Sequence, residues 1–302
     1  MRGVADAPSR RVVWVVLVVM LVAAAAGCST GGEEDEGPEG RFSAVSASYQ
    51  HSCGVRVDGT VVCWGDNEFG ELDAPEGAFS AVTAGVAHSC GVRVDGTVSC
   101  WGDNRYGEAT APQGRFSAVS AGTSHSCGVR VSGAVLCWGD NDFGQIDAPE
   151  GVFRSVSAAG QSSCGVRVDG AVACWGRNHY GQADAPEGRF SAVSIGGGHS
   201  CGLRVDGTVA CWGDNGAGQA DAPAGVFSAV SAGFFFSCGV RVDVTLACWG
   251  YNEFGQTDAP RGGFLAVSAG VVYACGVRLG ATVVCWGSYD DGVPDESFDL
   301  FG

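Results

Sequence analysis

Beyond residue 41 the apolar positions follow two periods. Locally they stand two apart. Cys90 and Val92, then Val98 and Cys100 across a turn, take the step of a strand with one buried face. At longer range the whole pattern returns every 37 residues, in copies starting at 42, 79, 116, 153, 190, 227 and 264. A 3.6-residue apolar repeat is missing and glycine is too frequent for helix, so the pattern predicts an all-β chain built from seven copies of one unit.

The copy at 79–115 divides into three strands and a loop. Phe79 and Val82, set among small residues, form a first strand that stops at Gly85. The second and third flank Asp95-Gly96, a strong hairpin signal. With Gly96 in the left-handed position of a three-residue turn, Cys90 and Cys100 lie opposite each other on adjacent antiparallel strands. The remainder, rich in Gly and Pro, predicts a loop or a short, poor outer strand. So small a sheet cannot cover both its faces. Seven set radially cover one another, which predicts a seven-bladed β-propeller with about three good antiparallel strands per blade. Ala47, Ala84 and Ala121 suit its crowded axis. The Trp after each second cysteine supplies a flat group between blades, and the regular arginines from Arg56 to Arg278 supply inter-blade hydrogen bonds. The seventh copy loses the pattern after Trp286-Gly287, while Gly37-Pro38-Glu39-Gly40-Arg41-Phe42 repeats the joint found between later copies. The two ends of the array should therefore meet.

The N-terminus changes how the cysteines read. Arg2, Arg10 and Arg11 precede an unbroken apolar run, Val12 to Ala26, short for a membrane span and suited to a signal peptide. It ends Ala25-Ala26-Gly27-Cys28-Ser29, which resembles a bacterial lipoprotein cleavage box with Cys28 as the lipid attachment site. The expected division is a signal peptide over 1–27, a lipidated acidic, Gly-rich tether over 28–41, and a propeller over 42–302. This places the propeller outside the cytoplasm, lipid-anchored in a bacterial cell envelope. In that compartment paired cysteines at fixed spacing are disulfides. One per blade is expected: Cys53 with Cys63, Cys90 with Cys100, Cys127 with Cys137, Cys164 with Cys174, Cys201 with Cys211, Cys238 with Cys248, and Cys275 with Cys285. A ten-residue step is not zinc-ligand spacing, and the histidine two before the first cysteine gives way to Ser162, Phe236 and Tyr273, so no metal is expected.

The chain has 17 basic residues, all of them Arg, against 33 acidic ones, a net charge of −16. Without residues 1–27 the balance is 14 against 32, or −18. Such a surface repels phosphate backbones, so nucleic acid is not an expected partner.

The repeated Ser-Ala-Gly-x-x-His-Ser-Cys-Gly-Val-Arg-x-Asp-Gly-x-Val-x-Cys-Trp-Gly-x-Asn-x-x-Gly-Gln resembles the regulator-of-chromosome-condensation repeat over residues 42–287. The resemblance implies a seven-bladed propeller. The short unit and its Ala-Pro-x-Gly joint look most like the secreted bacterial branch, which includes a propeller-type β-lactamase inhibitory protein. Cysteines stand where the family usually has apolar residues, which fits export. Nucleotide exchange and chromatin binding, the founder's roles, do not suit an acidic exported chain.

Compared with one another, the copies differ in two places. After the first strand stand Tyr49-Gln50, Val86-Ala87, Thr123-Ser124, Gly160-Gln161, Gly197-Gly198, Phe234-Phe235-Phe236 and Val271-Val272-Tyr273. After the third stand Glu68-Phe69, Arg105-Tyr106, Asp142-Phe143, His179-Tyr180, Gly216-Ala217 and Glu253-Phe254. In an up-and-down blade both sets emerge on one face, leaving the near-identical Asp-Gly hairpins and Ala-Pro joints on the other. The expected binding residues are Tyr49, Gln50, Phe69, Arg105, Tyr106, Phe143, His179, Tyr180, Phe234, Phe235, Phe236, Phe254, Val272 and Tyr273. Phe234-Phe235-Phe236 with Tyr273 forms either an aromatic anchor or a plug for the central channel. The tether, at most roughly 45 Å long, turns the uniform face toward the membrane.

Gly198-His199-Ser200-Cys201-Gly202 matches a nucleophile motif, but its Ser enters a β-hairpin instead of a strand-to-helix elbow. The Asp-Asn-x-x-Gly loops lack the calcium-loop pattern. The expectation is a monomeric protein-binding module, with no catalysis and no cofactor, touching the membrane through its lipid alone. Inhibition of a secreted enzyme and glycan binding are the alternatives.

Overall fold

The computed structural model describes residues 35–287, so the signal peptide, Cys28 and the last fifteen residues lie outside the described region. Seven antiparallel sheets follow one another, each built from three strands in chain order. In blade two these are Phe79–Ala84 nearest the axis, His88–Arg93 in the middle and Val98–Gly102 outermost. The segment after each outermost strand forms no strand among the described residues.

The hairpin follows the turn chemistry. Gly96 has φ 87°, its N–H donates to Arg93 O, and Arg93 N–H donates to Thr97 O. Asp95 Oδ1 accepts from the amide and hydroxyl of Thr97, which together hold its carboxyl below the usual range. The turn sets Val92 opposite Val98 and Cys90 opposite Cys100. All seven expected disulfides form, each across a strand pair with Cα atoms 4.0 Å apart. One residue into each innermost strand the register shifts, as between Phe79 and Ala81. The displaced Ser80 donates its hydroxyl to Val92 O.

Blades are joined in three layers. Near the axis, a Ser or Thr hydroxyl in each innermost strand accepts from a backbone N–H of the next blade, as Ser46 Oγ accepts from Ala84 N at 2.9 Å. The series closes on itself when Ala47 N donates to Ser268 Oγ at 2.9 Å. Farther out, each Trp stands edge-on to the Phe of its own blade, with Phe79 and Trp101 centroids 6.2 Å apart. In blades two to seven its indole N–H crosses to the preceding blade, as Trp101 Nε1 donates to Glu71 O at 2.7 Å. The regular arginines tie blade to joint: Arg93 lies 4.7 Å over the Phe79 ring and donates to Glu76 O.

The ends meet as expected, and the N-terminus contributes more than the joint. Phe42 N donates to Ala281 O, reproducing the bond from Phe79 N to Gly59 O between blades one and two. In addition Asp35–Glu36 pairs with the outermost strand of blade seven, Glu36 opposite Val284, and makes that sheet four-stranded.

Backbone bonds also sort the connections onto two faces. Asp103 N donates to Ala87 O, which joins the two variable connections of blade two. Phe116 N donates to Gly96 O, which joins its hairpin to the following joint. Variable and uniform connections thus lie at opposite ends of the strands.

Candidate functional site

The innermost strands surround an axial cavity of about 150 Å³, lined by small residues such as Ser46, Ala84 and Ser120. Phe234 lies at its mouth on the variable face. Its ring packs flat on Gly197 of blade five, where an added Cβ would lie 2.8 Å from three ring atoms. From there aromatic rings continue outward over blade six. Phe235 is 4.7 Å from Phe234, Tyr251 is 6.2 Å from Phe235, and Phe254 is 6.0 Å from Tyr251, centroid to centroid. All four are half-buried and run as one stripe from the axis to the rim. The Tyr251 hydroxyl donates to Glu253 on the same loop.

This stripe differs from the expected cluster. Phe236 begins the middle strand and is fully buried among Cys238, Ala269, Ala274 and Trp286. Strand alternation turns it into the blade junction, while Phe235, still in the loop, remains half-buried on the variable face. Val272 is also buried, at 3 % exposure. Tyr273 serves ring closure, its hydroxyl donating to His51 O at 2.9 Å and meeting Ser52 Oγ at 2.8 Å. Phe236 and Tyr273 therefore belong to the junctions, Val272 is buried, and none of the three forms an aromatic patch with Phe234 and Phe235. Tyr251 was missed. Its signal is that it stands where the first five copies have Asp66, Asp103, Asp140, Arg177 and Asp214.

The other expected residues ring the same face. Phe69, Tyr106, Phe143 and Tyr180 are exposed on successive rim loops, and Tyr49 and Gln50 are half-buried nearer the axis. Exposed Arg105 lies 5.2 Å over the Phe69 ring of the preceding blade and bonds Asp103 Oδ2 through Nε at 2.7 Å. Burial alone would raise the Asp103 carboxyl, but bonds from Arg105 hold it below the usual range. Arg177, at the position of Asp103, makes a similar stack from another point of the loop, 5.3 Å over Phe143, with Nη1 donating to Gln161 Oε1 and Nε to His179 Nδ1.

The repeated histidines are structural. His51, His88, His125 and His199 are buried, and the Nε2 of each lies 2.7 or 2.8 Å from a serine hydroxyl of the next blade. Burial pushes their pKa down to about 4 for His51, His125 and His199 and about 3 for His88, so they are neutral near pH 7. Of the junctions without histidine, that of blades six and seven changes both partners, Phe236 facing Ala274, while Tyr273 reaches the regular serine, Ser52.

The regulator of chromosome condensation (RCC1) repeat matches residues 42–71, 79–108, 116–145, 153–182, 190–219 and 227–256, more than half the chain. Among solved structures, the ectodomain of the Physcomitrella patens receptor kinase CR4 is 30 % identical, with a TM-score of 0.71, over 83 % of this chain and 74 % of that one. The ectodomain of the Arabidopsis thaliana receptor kinase ACR4 is also 30 % identical, with a TM-score of 0.69, over 82 % and 96 %. Prp20p of Saccharomyces cerevisiae, 15 % identical with a TM-score of 0.65 over 82 % and 83 %, shares the fold. No curated protein sequence matches the chain significantly.

Proposed function

The chain belongs to the regulator of chromosome condensation (RCC1) repeat family, and from that premise we propose that it is an extracytoplasmic, lipid-anchored module that binds a protein partner through its variable face. Seven disulfides and likeness to two receptor ectodomains support the compartment. One observation carries the binding role. The half-buried stripe of Phe234, Phe235, Tyr251 and Phe254 occurs in one blade, on the face where the copies diverge. The other six blades keep the fold and hold no such stripe among their described residues. Contiguous aromatic surface of this kind is what protein interfaces use as an anchor.

A second form of the reading is inhibition of a secreted enzyme, as in the bacterial branch that the repeat resembles. The stripe ending at the channel mouth favours it, because a convex loop of an enzyme could seat there. Loss of a purified β-lactamase's turnover on adding the protein would single out this form.

Affinity capture from the native envelope tests the binding role. The bait is the oxidised full chain, compared with a folded variant carrying Phe235→Ser, Tyr251→Ser and Phe254→Ser. A partner held by the first and lost by the second is the expected outcome. A partner held equally by both would overturn the assignment to the stripe.

A further inference from the structure

Around the rim, the aromatic ring of one blade meets the loop that begins the next blade's outer segment. Between blades one and two this junction is filled from within: the Arg105 guanidinium lies on Phe69 and is bonded to Asp103. Between blades three and four Arg177 lies on Phe143. Between blades two and three the ring is Tyr106 and the first loop residue is Asp140, but Asp142 stands where blade two has Arg105. The loop backbones match. Asp142 N donates to Asp140 Oδ1 at 3.2 Å, as Arg105 N donates to Asp103 Oδ1 at 3.2 Å. The junction that the chain twice fills with a guanidinium here presents two carboxylates and an exposed ring. A cavity of about 150 Å³ opens there, lined by Tyr106, Ser124, Asp140, Asp142, Phe143 and Gln161. Arg177 takes its Phe143 side and bonds Gln161, which leaves the Tyr106 side for an incoming group.

We propose that this pocket between blades two and three seats the guanidinium of an arginine side chain carried by the protein partner, which rests on the variable-face reading above. Asp140 keeps one oxygen on Gln145 Nε2 at 2.8 Å, which fixes the carboxylate for its ligand. A planar cation stacked on Tyr106 reproduces the seat of Arg105 on Phe69, and a guanidinium satisfies ring and carboxylate together as an ammonium does not. The field of the whole face acts in the same direction. Between residues 37 and 287 the variable-face connections hold fourteen carboxylates and two guanidinia, whereas the uniform face holds nine and twelve. A basic segment is thus steered to the variable face and turned away from the other.

The test titrates the oxidised full chain with a capped Gly-Gly-Arg-Gly-Gly peptide at low salt, followed by NMR, with a citrulline peptide as the neutral isostere. The arginine peptide is expected to shift Tyr106 and Asp142 resonances and to bind roughly tenfold more tightly than the citrulline peptide. Asp142→Arg supplies the guanidinium from within, so binding falls roughly tenfold while the new side chain stacks on Tyr106. Asp142→Asn, which conserves shape, weakens binding several-fold. Equal binding of the two peptides, or undiminished binding by folded Asp142→Arg, would overturn the proposal. A captured partner that needs the stripe but ignores Asp142→Arg would end the pocket and leave the variable-face reading standing. Peptide binding at the pocket with no partner captured would do the reverse.

Discussion

The junction between blades two and three also offers a quantitative test of how the ring is held. His88 and Ser126 are both buried, with Nε2 and Oγ 2.8 Å apart. Ser126 and His125 belong to blade three, and the Ser126 hydroxyl proton is already spent on blade two's loop through Glu108 O at 3.1 Å, so Nε2 carries the shared proton. Ser126→Ala strands that N–H in the interior and should cost about 1–3 kcal/mol. His88→Phe removes the bond but leaves the serine on Glu108 O, costing about 1 kcal/mol. Changing both reproduces the Phe236–Ala274 pair between blades six and seven, so the double variant should recover about 1–2 kcal/mol relative to the summed singles. Acid sharpens the test. A histidine with its folded pKa pushed to about 3 and an unfolded value near 6.5 binds its proton first in the unfolded chain, so stability falls as pH drops from about 6.5 toward 3. Between pH 7.5 and pH 5 the loss is about 2 kcal/mol per histidine, set by the unfolded value because pH 5 still lies above the folded one. Denaturant unfolding of the oxidised chain at both pH values measures each quantity. The double variant should be about 2 kcal/mol less acid-sensitive than the parent. Additive single effects, or acid sensitivity unchanged by removing His88, would refute the argument.

Three further outcomes follow from the same structure. Replacing Cys127 and Cys137 together by Ser removes one ten-residue loop closure and should lower unfolding stability by about 2.5–3 kcal/mol, read in the same denaturant assay. Deleting residues before Gly37 removes the strand that pairs with Val284 and Cys285, so amide exchange should quicken over 283–286 and stay unchanged in blade three. Gly197→Ala places a methyl group where the Phe234 ring lies, so that ring should leave the channel mouth, visible as an altered Phe234 environment by NMR with the fold intact.

The blade was legible because its information is local. Asp95-Gly96 fixes the turn, the turn fixes the register, and the register sets Cys90 against Cys100 within eleven residues of chain. Ring closure was legible for a similar reason, since Gly37 to Phe42 copies a joint present elsewhere. The blade junctions were not, because their partners lie one repeat plus one residue apart, as His88 and Ser126 do. Phe236 was read as surface because it adjoins two loop phenylalanines in sequence. Strand alternation begins at that residue and carries its side chain inward. Tyr251 was missed for the converse reason. It is sixteen residues from Phe235 along the chain, yet their rings are neighbours across two connections of one blade.

Departures from sevenfold symmetry therefore fall into two physical kinds. Those at buried junctions find a partner across the boundary: Phe236 meets a second departure, Ala274, and Tyr273 bonds the regular Ser52. Blade four adjusts its backbone instead, and leaves the buried Ser162 Oγ without a hydrogen-bond partner among the described residues. Ser162 stands where His88 stands in blade two, and Ala159 replaces the glycine whose missing Cβ makes room for that imidazole. There Ala159 pairs directly with Ser162 through a tighter turn, with Gly160 at φ 52°. Blade one shows the cost of a Cβ without that adjustment. Ser48 keeps His51 as neighbour, and the bond from Ser48 N to His51 O lengthens to 3.2 Å against 2.7 Å for Gly85 N and His88 O. Departures on the variable face have no such answer. Tyr251 stands where the first five copies have Asp or Arg, and its Phe235 and Phe254 neighbours only extend the apolar surface, while Asp142 stands where blade two has Arg105 and leaves its junction without that guanidinium. A packed interior penalises an unmatched substitution, because an unpaired polar group such as Ser162 Oγ, or a void, costs stability at once. A surface imposes no such demand, so unmatched departures gathered on one face are those that folding does not explain and a partner would.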